Sequence, residues 1–151
     1  MSCYYLQEEE NNKELLIDNI FISNEDYKAG NPYNTTFRVK VKSGYFAGAG
    51  DFELDIADFC TFSKELFNLY NNLSGKVSLN DVGHGSFLQF EAIDKIGHIQ
   101  ICGEIYGEAQ SQVVKFAYEI DQTELQEFSK NLYEDFGSSD TYKRKAKFNQ
   151  S

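Results

Sequence analysis

The 151-residue sequence has no tryptophan, one proline, two histidines and three cysteines, and each shortage excludes something. Cys3, Cys60 and Cys102 are odd in number, far apart and without a CxxC. They suit neither a disulfide framework nor a zinc site. Free thiols in a reducing compartment are expected, with the cytoplasm as the simplest address. No apolar run approaches the roughly 20 residues that a membrane-spanning helix needs, so no membrane association is expected. The stretch Met1 to Glu10 has neither a basic start nor an apolar segment, and no signal peptide is expected there.

Positive charge is also scarce, with 14 Lys and Arg against 24 Asp and Glu for a net charge of −10. Lys143, Arg144, Lys145 and Lys147 fall in the last nine positions, where no acid occurs, so the rest carries 10 − 24 = −14. Such a body repels a phosphate backbone, which argues against direct nucleic-acid binding. It attracts a basic protein and speeds the encounter. The plainer alternative is acidity that only maintains solubility.

What the chain has in quantity is Phe and Tyr, 13 and 10 of them, within a hydrophobic fraction of 41%. That composition excludes a disordered or fibrous protein. The length suits one domain over 1–151, with ends at 1–13 and 137–151 expected to be mobile. At this size folding hides roughly 68–70% of the unfolded surface, enough for a core without metal or disulfide.

The patterning alternates between periods of two and 3.6. Glu14–Ile22 reads as a strand, and Ser23–Pro32 as a loop rich in turn formers. In Thr36–Lys42, Phe37, Val39 and Val41 alternate with Arg38, Lys40 and Lys42. After the Ser43-Gly44 turn, Phe52, Leu54 and Ile56 alternate with Asp51, Glu53 and Asp55. Gly48-Ala49-Gly50 marks a bulge or a close backbone approach. Phe59, Phe62, Leu66, Leu69 and Leu73 then trace a helical stripe, with Asp55 as N-cap and Gly75 at the left-handed end. Further strands are expected at Lys76–Leu79, Phe87–Ile93, Gly97–Tyr106 and Val113–Ile120. A second helix starts at Asp121-Gln122-Thr123-Glu124, close to a capping box, with Leu125, Phe128, Leu132 and Phe136 as its stripe. Short connections force antiparallel neighbours. The expected fold is α+β, one antiparallel sheet of about six to seven strands with two α-helices packed on one face.

Chemistry is harder to find. His84 lies in the flexible turn Asp81–Ser86, which offers a catalytic imidazole no fixed orientation. His98, Cys102 and Glu104 share a strand face, but alternate residues stand about 7 Å apart and no further ligand cluster completes a metal site. Neither GxSxG nor a glycine loop followed by Lys-Ser/Thr is present. No cofactor and no enzymatic activity are expected. Asp51, Glu53 and Asp55 form the one ordered acidic row. Cross-strand pairing with Arg38, Lys40 and Lys42 explains it without chemistry, and it also suits a recognition surface, with Tyr45 nearby. Tyr4, Tyr5, Tyr27, Tyr33, Tyr45, Tyr106 and Tyr142 fall in loops, termini or polar faces, as interface anchors or as rims of the core.

Three blocks, Phe37–Gly44, Asp51–Asp55 and Leu66–Gly75, carry a resemblance, as do Lys95–Glu104 and Lys115–Leu125. Together they resemble the WapI-type immunity proteins of bacteria from about Phe37 to Leu132, leaving the first 36 residues and the basic tail outside. The resemblance implies a cytoplasmic antitoxin that binds and blocks the C-terminal domain of a secreted or contact-delivered toxin. Such toxin domains are often nucleases and hence often basic. On this reading Tyr45, Asp51, Glu53 and Asp55 are the candidate partner-binding residues. Two rivals are a small-ligand or regulatory domain with a pocket between sheet and helices, and an enzyme with an unfamiliar site around His98 and Glu104.

Overall fold

Period-two patterning becomes two antiparallel meanders in the structure, a computed structural model that describes residues 3–109 and 111–138. The first contains β1 (Tyr4–Glu8), β2 (Lys13–Ile22), β3 (Thr35–Ser43) and β4 (Phe46–Leu54), paired in chain order. The second contains β5 (Lys76–Asn80), β6 (Phe87–Ala92), β7 (His98–Tyr106) and β8 (Val113–Asp121), again in chain order. A short helix, α1 (Asn24–Lys28), sits between β2 and β3. The long helix α2 (Ile56–Asn72) joins the sheets, and α3 (Gln122–Leu132) follows β8 and runs into a π-helical turn at Tyr133–Gly137.

The second sheet runs transversely across β4. The loop residues Asp81 and Val82 meet β4 at Glu53. A Cβ on Gly50 would stand 2.5 Å from the carbonyl oxygen of Tyr106 in β7, and one on Gly48 would stand 2.2 Å from Val114 Cγ2 in β8. Further along β8, the Tyr118 hydroxyl donates to the Glu14 carbonyl in β2 at 3.2 Å. The two glycines are therefore a close approach and not a bulge, and the β3–β4 register passes through them unbroken. The bulge lies instead in β2, between Asp18 and Phe21, with Asn19 at φ 55°.

Facing side chains and the helices fill the space between the sheets. Phe37 and Phe52 lie under Phe59 of α2, whose ring meets Phe136 edge-on at 4.8 Å. Phe62 and Phe90 carry the aromatic layer to Phe128 of α3. All of these rings are buried. Removing one large ring from such a core typically costs about 3–5 kcal/mol.

The helix signals act as read. Asp55 accepts from the Ala57 N–H at 2.9 Å, and Asp121 with Glu124 forms a complete capping box. The left-handed residue after α2 is Leu73 (φ 51°, ψ 47°), however, with Gly75 (φ 97°) two residues on.

Several expectations are corrected. There are two four-stranded sheets and three α-helices among the described residues, not one sheet with two helices. The 17 residues of α2 interrupt the meander, so β4 and β5 never pair. The frayed start expected over 1–13 contains strand β1, because Tyr4 and Leu6 alternate with Tyr5 and Gln7 and bury one face. Tyr4 accordingly belongs to the core, not to its rim. The helix expected after the Asp55 cap does open at Ile56. At the other end Gly137 is buried in the π-turn, while 139–151, including Tyr142 and the basic cluster, lies outside the described residues.

Candidate functional site

The outer face of the first sheet is a grid set by register. Asp18, Arg38 and Asp51 lie opposite one another across β2, β3 and β4. Arg38 grips Asp18 with two hydrogen bonds, Nε to Oδ1 at 2.9 Å and Nη2 to Oδ2 at 2.7 Å. That guanidinium holds the Asp18 carboxyl below its ordinary range. Asp51 stands opposite the same residue on the other side, and among the described residues the Arg38 hydrogen bonds go to Asp18. The two expected rows therefore do not pair throughout. Lys40 and Lys42 stand opposite Ala49 and Ala47 on β4, and Glu53 stands opposite Thr36.

Where β4 meets the second sheet, one buried carboxylate organises the junction. Asp81 Oδ1 accepts from the N–H groups of Glu53 (2.9 Å) and Gly83 (3.0 Å), and Oδ2 accepts from the N–H of His84 (2.8 Å). The Val82 N–H donates to the Glu53 carbonyl at 3.0 Å. Ser86 Oγ accepts from the Tyr106 N–H at 2.9 Å, binding the same loop to β7. The flexible turn expected around His84 is thus a strapped loop, and its imidazole Nδ1 stands 3.9 Å from Asp81 Oδ2. Two open clefts flank it, of about 380 and 370 Å³, and both are lined by Arg38, Asp51 and His84. Glu53 borders the first, and Tyr106 and Glu108 border the second. A third open concavity, of about 460 Å³, lies over Tyr5, Leu16, Lys40, Ala47 and Ala49 on the same face.

The four candidate partner-binding residues are dispersed by this geometry. Asp51 and Glu53 border the clefts, while Asp55 sits past the end of β4 with its carboxylate engaged as the cap of α2. Tyr45 is fully exposed at the β3–β4 turn, six residues and about 20 Å of strand from Asp51. Sequence reasoning missed Asp81. An aspartate followed by Val-Gly-His-Gly reads only as a turn, and nothing local says that it reaches back 28 residues to β4. It also missed Phe46, which is 79% exposed beside Tyr45.

The other candidates for chemistry make local hydrogen bonds. His98 Nδ1 lies 2.6 Å from Asp94 Oδ2, and Asp94 Oδ1 accepts from the N–H groups of Ile96, Gly97 and His98, closing the β6–β7 turn. The partnership raises His98 above its ordinary value and lowers Asp94 to about 2. His98, Gln100, Cys102, Glu104 and Tyr106 do share the outward face of β7, where the Tyr106 hydroxyl donates to Glu104 at 2.8 Å. Among the described residues no three His, Cys, Asp or Glu side chains converge to hold a metal ion. No helix among them is long and apolar enough to cross a membrane.

A family model described as the immunity protein WapI-like family matches residues 10–138. The chain belongs to that family. The match to the WapI-like immunity family begins well before Phe37, so β2 and α1, which the resemblance had left out, lie within it together with all of the second sheet. No curated protein matches the chain. For a WapI-like immunity protein the established frame is toxin neutralisation, and both the strapped loop and the grid around Arg38 fall inside the matched span.

Proposed function

We propose that this chain is a non-catalytic, cytoplasmic immunity protein that binds the toxin domain of a secreted or contact-delivered toxin one to one and occludes it. The observation that carries this is the family match over residues 10–138. The charge supports a basic toxin domain, as in a nuclease whose cleft binds phosphate, because the protein bears a net −10. Opposite charge raises the capture rate, and a few buried aromatics then hold the complex. Exposed Asp51 and half-buried Glu53 supply charge along β4 for capture, and Tyr45 supplies an aromatic at the turn. Asp55 contributes through its position at the head of α2.

Co-expression with the product of the adjacent reading frame, as the candidate toxin, tests the proposal. A stoichiometric complex and rescue of growth are expected. Folded protein that neither binds nor protects overturns it. Charge reversal at Asp51 and Glu53 should slow association several-fold and flatten its salt dependence. Unchanged kinetics in both variants would remove these residues from the capture surface.

A further inference from the structure

Each of the two sheets has two outer strands, and a helix or the Asp81–Ser86 loop lies against three of the four. β1 packs against α3 and β5 against α2. β4 is strapped by the Asp81–Ser86 loop and crossed by the second sheet. The fourth edge, the outer side of β8, has no strand partner, and no backbone hydrogen bond from elsewhere among the described residues reaches 113–120. It is nine residues long and contains no proline, and its register with β7 is unbroken from Val113 to Asp121. A long, straight edge of this kind is a template for another chain, and folded proteins ordinarily blunt it with a bulge, a proline or a covering element.

The first sheet also extends past that edge. The β1–β2 and β3–β4 turns are tied together by the Gly44 N–H donating to the Asn12 carbonyl at 3.1 Å, and they lie beyond Gly48, where β4 meets Val114 of β8. By alternation Phe46 lies on the core-facing side of β4 with Gly48, Gly50, Phe52 and Leu54. It is nonetheless 79% exposed, because β8 crosses at Gly48 and no further strand follows. Val114 and Phe116, the core-facing residues in the first half of β8, are only partly buried for the same reason. The second sheet stops one strand short of covering the first.

We propose that the missing strand is supplied by the toxin domain, as an extended basic segment that pairs with the free edge of β8 and covers Phe46. This deepens the immunity reading and rests on it. Main-chain pairing would give affinity, and alternate side chains would give specificity. Charge selects the partner. Glu119 and Asp121 lie along β8, and Glu8, Glu10 and Glu124 gather at the same end, where burial and these acidic neighbours raise the Glu124 carboxyl. Lys115 is the one cation within β8. A second copy of this chain is the poorer occupant, since it brings the same net charge of −10.

The test is amide hydrogen exchange on the full chain, alone and in complex with an inactivated form of the candidate toxin domain from the adjacent reading frame. Protection should appear at 113–121 and at 44–47 in the complex. Phe46→Ser and Glu119→Lys, both at exposed side chains, should each weaken binding at least tenfold with an unchanged thermal midpoint. A complex with protection elsewhere, or with both variants binding normally, overturns the docking mode while immunity stands. Absence of any complex overturns the immunity reading itself. Concentration-dependent protection of 113–121 in the free chain would assign the edge to a second copy and also overturn the proposal.

Discussion

The buried carboxylate of Asp81 accepts a hydrogen bond from the backbone N–H of Glu53 at 2.9 Å, and this contact joins the two sheets at the edge of β4. Gly83 and His84 donate to the same side chain. Asp81→Asn keeps the volume but turns an amide N–H₂ toward those donors. The variant should lose about 2–3 kcal/mol of stability, the cost of leaving buried donors without an acceptor. Urea unfolding with an unchanged m-value would report it. A loss below about 0.5 kcal/mol would show that the loop holds without its carboxylate.

Gly50→Ala should destabilise by about 1–3 kcal/mol, the usual cost of overpacking. The new methyl would lie 2.5 Å from the Tyr106 carbonyl oxygen and 2.8 Å from Ile105 Cγ2, and the first of these is backbone that cannot swing away. Ala49→Ser, one residue along on the outer face, should change stability by less than about 0.5 kcal/mol. Equal effects of the two substitutions would contradict the close approach of β4 and β7.

The Asp94–His98 pair makes the β6–β7 turn sensitive to pH. His98 is raised on folding by its hydrogen bond to Asp94, so its contribution is fully present below its ordinary value of 6.5 and is lost as pH rises through the raised value. Asp94 is lowered from 3.8 to about 2, so its contribution is present above 3.8 and is lost as pH falls through about 2. Glu119 and Asp121 face His98 from β8 and reinforce its charge. Titration followed by NMR should place the His98 midpoint above 6.5 and return it toward that value in Asp94→Asn. No difference between the two proteins would remove the pair.

Cys60 should be slow to react with thiol reagents at pH 8 in the folded protein. Burial pushes its thiol up to about 12, and Lys64 only partly offsets this. Alkylation should run on the order of a hundredfold slower than at the exposed Cys3, because the thiolate is the nucleophile. Comparable rates measured by mass spectrometry would show that α2 opens readily.

Strands β2 to β8 were legible in the sequence, as were the N-caps of α2 and α3, because those signals are local. What could not be read was relative placement. Gly48 and Gly50 mark a close approach, but nothing in their neighbourhood names Val114 or Tyr106 as the approaching party. The acidic row looked continuous as text, yet Asp55 turns away into a cap and Arg38 donates its hydrogen bonds to Asp18 instead. Tyr4 looked like a terminal polar residue because β1 is only five residues long, too short for period two to stand out. Phe46 shows the limit most plainly. Its alternation says core, and only the position of β8 leaves it exposed.

The ring of Tyr4, in the first strand, packs edge-on against Phe136 at 6.1 Å, and β1 lies along α3. β1 is synthesised long before α3, so no growing chain can shelter that strand until α3 has followed it. The first meander can pair as soon as Leu54 has emerged, but its greasy side then waits for β8 and α3. Nascent chains stalled anywhere before residue 121 would expose Tyr4, Leu6 and their neighbours, and are the natural clients of chaperones during manufacture.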